Sequence, residues 1–246
     1  MQQSATKYPE LATAAKWLRA AWWLEIPLLL AFLVALWGAF VYAPTERVMG
    51  EVQRIFYFHV GSAAVAFFAF FIVFIAGILY LVRRNVVWDQ LAATSVEVGV
   101  VFTTIVLTTG PIWAKPVWNT WFPWGDPRVM TTLVLWLIYM AYLILRSSLP
   151  EGDKKYKFCA VFGIIGFIDV PIVWMSIRWW RTIHPVVITS EGANLEPRMS
   201  QALLMAIAAC MLSLAVLTLL RGAMRLNQLV VDRMAQDVID SKRSVA

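Results

Sequence analysis

Apolar positions in this chain gather into six unbroken runs, from about Trp22 to Tyr42, Phe58 to Val82, Leu91 to Gly110, Met130 to Leu145, Phe158 to Met175 and Ala202 to Leu220. A helix that crosses a bilayer needs ~20 mostly apolar residues and must satisfy its own backbone, because the hydrocarbon offers no hydrogen-bond partner. Each run suits such a helix. The pattern predicts an all-α integral membrane protein, a bundle of about six transmembrane helices forming a single polytopic domain over residues 1–246. Pro27 and Pro171 are candidate kinks. The first run is too long for the core of a cleaved signal and is expected to remain as the first span.

Composition agrees: 61% of residues are hydrophobic and 15% charged, a balance foreign to a water-soluble domain. The net charge of +6 raises the question of a nucleic-acid partner. The basic residues, however, stand at the ends of apolar runs and form no stripe, so lipid is the expected contact and nucleic acid is not. Their distribution orients the bundle. Fourteen lie in the N-terminal segment (Lys7, Lys16, Arg19), the second loop (Arg83, Arg84), the fourth loop (Arg146, Lys154, Lys155, Lys157) and the tail 221–246 (Arg221, Arg225, Arg233, Lys242, Arg243). Seven lie in the first, third and fifth loops: Arg47, Arg54, Lys115, Arg128, Arg178, Arg181 and Arg198. Basic residues are retained inside, so both termini and the tail are expected to be cytoplasmic and the odd loops to face out.

That topology places the only two histidines, His59 and His184, on the same side. A single histidine at a membrane interface is commonly structural. Two on one side also match the axial positions of a haem iron, which accepts neutral imidazole nitrogens. Cys159 and Cys210 stand alone within apolar runs. Neither a redox pair nor a covalent c-type haem attachment is encoded, and both read as small buried hydrophobes.

The third loop, expected over 111–129, holds Trp113, Trp118, Trp121 and Trp124, four of the chain's 13 tryptophans. Indole faces stack on a flat ring and indole N–H groups donate to carboxylates. Scattered interfacial tryptophans such as Trp22, Trp23 and Trp88 form an aromatic belt, but a cluster in a proline-rich loop, with an amphipathic stretch suited to the bilayer surface, points to a platform. Loop five carries Arg178, Trp179, Trp180, Arg181, Thr182, Ile183 and His184 in succession. Arg178, Arg181, Arg128 and Lys115 read either as lipid-headgroup contacts or as partners for propionates. Three acids, Glu25, Glu97 and Asp169, interrupt apolar runs; with no basic partner at matching depth, each is expected to make a helix-packing hydrogen bond.

Three motifs taken together, Tyr57-Phe58-His59-Val60, the tryptophan loop and Trp179-Trp180-Arg181-Thr182-Ile183-His184, resemble the CcmC family (haem exporter C) of cytochrome c maturation over nearly the whole chain. The wider group is named for its WWD domain, whose pattern is Trp-Gly-Thr-Trp-Trp-x-Trp-Asp-x-Arg-Leu-Thr. Here Asn119 stands for the glycine, Phe122 for a tryptophan, and Gly125 is inserted between Trp124 and Asp126. The resemblance implies that His59 and His184 are the axial ligands of a transiently, non-covalently held haem b. It also implies that the loop from Trp113 through Asp126 and Arg128 holds the ring. It further implies a bacterial inner-membrane location, a haem chaperone, CcmE, as recipient, and the transporter components CcmA, CcmB and CcmD as partners. The chain carries no Gly-x-x-x-x-Gly-Lys-Ser/Thr, so ATP hydrolysis falls to a partner, and no enzyme activity is expected. Two other readings differ in class: a membrane haem oxidoreductase subunit, which ordinarily carries its haem ligands within the bundle, and a structural transporter subunit.

Overall fold

The computed structural model describes residues 7–185, 188–189, 192–193 and 195–245. Helix α1 spans Glu10–Trp37 and closes through a π-helical turn, Gly38–Tyr42. A short 3₁₀ turn at Glu51–Arg54 leads into α2, Ile55–Arg83. Then follow α3 (Val86–Trp118), α4 (Pro127–Ser148), α5 (Asp153–Gly166), α6 (Asp169–Trp179) and α7 (Pro197–Val245). A two-residue antiparallel pair, β1 (Ile188–Thr189) with β2 (Gly192–Ala193), lies between α6 and α7. Among the described residues, six helical segments are long and apolar enough to cross a membrane, and each contains one of the runs read from the sequence. The chain is a multi-pass, all-α membrane protein.

The fifth span is two helices end to end. It breaks at Phe167 and Ile168, beyond Gly166, where Pro171 has no N–H to return to the carbonyl four residues earlier, that of Phe167. Around this span α2 packs chiefly on α3, and α1 on α7. The largest core cluster joins α2, α3 and α4, where Phe70 stacks on Tyr139 with centroids 3.7 Å apart and planes 2° from parallel. Gly99 makes this stack possible: a Cβ there would stand 2.5 Å from Phe70 Cε1.

Two expectations are revised, the extent of the third loop and the partners of the membrane acids. Residues 111–118 are helix, not loop: α3 runs through Pro111 and Pro116 to Trp118, so the true connection is 119–126. Membrane helices tolerate proline where neighbouring groups satisfy the freed backbone, and the termination comes only at Asn119, which takes left-handed backbone (φ 54°). The residues beyond 221 continue the last span without interruption as far as Val245. The membrane acids differ among themselves, and Glu97 does meet basic partners at its depth, which it hydrogen-bonds across the packing of α3 on α7. Glu97 is ion-paired to Arg221 (2.7 Å) and Arg225 of α7, Glu25 is exposed, and Asp169 buries one carboxylate oxygen with no hydrogen-bond partner. Helix geometry explains the first: 124 residues separate Glu97 from Arg221, and only the packing of α3 on α7 brings them to one depth.

At the end of the bundle opposite the histidines, Asp89 of α3 and Arg146 of α4 form a buried bidentate pair, with N–H to O distances of 2.8 and 2.6 Å. Arg146, read from the sequence as a loop charge, is 4% exposed. Paired this way, two charges remain at a depth where either alone is strongly unfavourable.

Candidate functional site

His59 sits one turn into α2 and faces α3, where its Nδ1 lies 2.8 Å from Thr109 Oγ1. The Thr109 hydroxyl donates its single proton to the Ile105 carbonyl at 2.7 Å. With its proton there the hydroxyl accepts from the imidazole, an assignment that puts the His59 proton on Nδ1 and leaves an unshared pair on Nε2.

His184 reaches the same arrangement from a different direction. Asp126 closes the tryptophan loop through its backbone N–H, which donates to the Pro123 carbonyl at 2.8 Å. The inserted Gly125 is absorbed in that turn, with open space around it. The Asp126 carboxylate then caps α4, accepting from the backbone N–H of Arg128 (3.0 Å) and Val129 (3.2 Å), the standard task of an N-cap aspartate. The same carboxylate accepts from Thr182 Oγ1 (2.5 Å), the Ile183 N–H (3.1 Å) and His184 Nδ1 (3.0 Å). Burial opposes charge on Asp126, yet the bonds from Thr182, Val129 and Ile183 and the neighbouring His184 hold its carboxyl below the usual range. Burial first, and the Arg128 guanidinium second, lower the His184 pKa, against the opposing pull of Asp126. The ring is thus neutral near pH 7, with its proton on Nδ1 and Nε2 left to ligate. A carboxylate behind a histidine in this way orients the ring and raises its basicity toward a metal.

Both rings line one cavity of about 320 Å³, enclosed by α2, α3, α4, α6 and α7. Its wall is mostly apolar, from Phe56, Val60 and Phe67 through Leu135 and Val173 to Leu203 and Ile207. Arg128 and Arg178 are the charged side chains on it; the Arg178 guanidinium also lies 5.7 Å from the Trp174 ring centre. Trp113 and Trp118 line the cavity and meet edge to face at 4.7 Å, and Trp118 meets the His184 ring at 5.1 Å. The Trp113 indole N–H is buried without a partner.

The structure separates the expected site residues into groups. His59, His184, Trp113, Trp118, Arg128 and Arg178 surround the cavity. Asp126 does not line it and acts through His184. Trp121 and Trp124 are 61% and 69% exposed and stand apart from the wall, as does exposed Arg181. Lys115 bonds the Asn119 side chain at 3.1 Å, across the end of α3. Thr109, Thr182, Phe122 and Trp174 were not foreseen. Thr182 lay inside the quoted Trp-Trp-Arg-Thr-Ile-His motif; Thr109 carried no sequence signal, since its partner lies 50 residues away.

Among the described residues no three His, Cys, Asp or Glu side chains converge on a metal position. Two imidazoles are too few for a bare ion, but they are the number needed by a metal already held in a planar macrocycle.

Residues 4–238 match the family model described as Heme exporter protein C. The chain belongs to that family. It is 31% identical over 200 residues to the Heme exporter protein C of Escherichia coli (strain K12), covering 81% of this chain and 80% of that protein. The protein of the same name from Bradyrhizobium diazoefficiens is 31% identical over 186 residues, 74% of this chain and 69% of its own length. That from Rhodobacter capsulatus is 28% identical over 163 residues, 66% and 67%. The match to the Heme exporter protein C family thus spans all six membrane segments and both histidines.

Proposed function

We propose that the chain takes haem as cargo at the outer face of a bacterial inner membrane, holds it non-covalently between His59 and His184, and presents it to the haem chaperone CcmE for c-type cytochrome maturation. The observation that carries this reading is the matched preparation of two imidazoles on one apolar cavity, each with Nδ1 occupied and Nε2 available. The remaining groups fit the same cargo. Arg128 and Arg178 suit propionates, the unpartnered Trp113 N–H is a further donor, and the apolar wall suits a porphyrin body. Membership of the Heme exporter protein C family supports haem handling, and with it a carrier role rather than conversion of a substrate.

In this reading Trp118 packs beside the ring position while Trp121 and Trp124, exposed on the loop, meet the chaperone. CcmA, CcmB and CcmD complete the transporter, and ATP is hydrolysed by a partner. Both termini lie in the cytoplasm. Co-purification tests the assignment: a complex with CcmE should form with haem and vanish without it or in the His59→Ala, His184→Ala double variant. Equal recovery of the complex in all three conditions would overturn it.

A further inference from the structure

The apolar run Ala202 to Leu220 of α7 is 19 residues long, roughly 28 Å of helix, which matches the hydrocarbon thickness of a bilayer. Its first turns pack with Tyr57 and line the histidine cavity, so Arg221 and Arg225 stand at the opposite membrane surface. Trp17 of α1 marks the same level, since it packs so closely on Gly222 that a Cβ there would be 2.5 Å from the indole Cζ3.

At this level Glu97 gathers both guanidinium groups. Its carboxylate accepts from Arg221 Nε at 2.7 Å and Nη2 at 3.2 Å, and from Arg225 Nη2 and Nε. One carboxylate against two guanidiniums leaves a positive charge, and neither Nη1 has a partner among the described residues. The Arg221 side chain is 49% exposed. Exposed Lys16 and Arg19 flank Trp17 and add to the positive potential. One turn toward the histidine end, on the same faces as Glu97 and Arg221, Val101 and Leu217 are exposed apolar surface.

We infer that Arg221 and Arg225, held side by side on Glu97, bind the phosphate of an anionic phospholipid whose acyl chains lie along Val101 and Leu217. Glu97 fixes the two guanidiniums by one edge and leaves the other for phosphate oxygens, with which arginine forms bidentate, charge-assisted bonds. The uncompensated charge selects an anionic headgroup over a zwitterionic one. The apolar faces above it select a lipid over a free anion.

Native mass spectrometry of the detergent-solubilised full chain, titrated with phosphatidylglycerol and with phosphatidylcholine of the same chains, reads this site directly. Wild type should retain phosphatidylglycerol about tenfold more strongly, and millimolar inorganic phosphate should leave that preference intact. Arg221→Gln with Arg225→Gln should abolish it. The triple variant that adds Glu97→Gln, which strands no charge, should abolish it while keeping wild-type helix content. Equal retention of the two lipids by wild type, an undiminished preference in the double and triple variants, or loss of the preference to inorganic phosphate would each overturn the inference.

Discussion

Asp126 holds His184 by Nδ1 at 3.0 Å while the same carboxylate caps α4, so a single side chain sets both the start of a helix and the tautomer of a histidine. The cap and the histidine share one oxygen, Oδ1, while Thr182 and the Ile183 N–H use the other. An Asn amide cannot serve both sides: with its nitrogen at Oδ1 it can donate to Nδ1 and move the ring proton to Nε2 but loses the cap, and with its nitrogen at Oδ2 it meets the Ile183 N–H. Asp126→Asn is expected to cost about 1 kcal/mol of stability and to weaken haem retention by tenfold or more, as loss of a partner behind a metal-binding histidine commonly does. Asp126→Ala, which removes both oxygens, should lose retention and cost at least as much stability. Thermal unfolding and haem content of the two purified variants check both halves; wild-type haem content in Asp126→Asn would contradict the role.

The tryptophans divide by position. Trp113 and Trp118 line the cavity, whereas Trp121 and Trp124 are exposed. Aromatic contacts contribute ~0.5–1.5 kcal/mol each beyond burial, so Trp113→Leu with Trp118→Leu should lower haem content several-fold without unfolding the bundle. Trp121→Ala with Trp124→Ala should keep haem and lose the chaperone. Pigment quantification beside chaperone pull-down distinguishes the pairs, and an exchange of the two phenotypes would refute the division.

The Asp89 and Arg146 pair predicts a different kind of defect. Arg146→Met strands a buried carboxylate and should cost about 3–5 kcal/mol, while Asp89→Asn added to it should restore most of the loss. Yield and urea midpoint of the single and double variants report this. A double variant no better than the single would mean that the pair is not coupled.

The asymmetry of basic residues predicts the topology. In a background with Cys159 and Cys210 replaced, exposed Asn119→Cys should react with an impermeant thiol reagent in intact cells, and exposed Lys154→Cys only after lysis. The reverse pattern would place the histidine cavity on the cytoplasmic side.

The six spans were legible because a continuous apolar run has one stable solution in lipid, a helix. His59, His184, Trp113, Trp118, Arg128 and Arg178 were legible because their chemistry is rare in such a sequence and the ends of the apolar runs set them at one end of the bundle. What sequence alone did not expose is pairing across helices. Thr109 looks like any membrane threonine until α3 is set against α2, and Arg146 and Arg221 look like loop charges until Asp89 and Glu97 meet them. The end of α3 was misplaced for a local reason: Pro111 and Pro116 read as loop residues, yet a membrane helix tolerates proline and this one persists to Trp118.

The central claim is that one haem iron takes both imidazoles. Electron paramagnetic resonance of the ferric haem bound to the purified chain tests it most directly. A low-spin signal with two nitrogen axial ligands is expected for wild type, and high-spin haem for His59→Ala and for His184→Ala, with the low-spin signal restored by added imidazole. An unchanged low-spin signal in either single variant would contradict it.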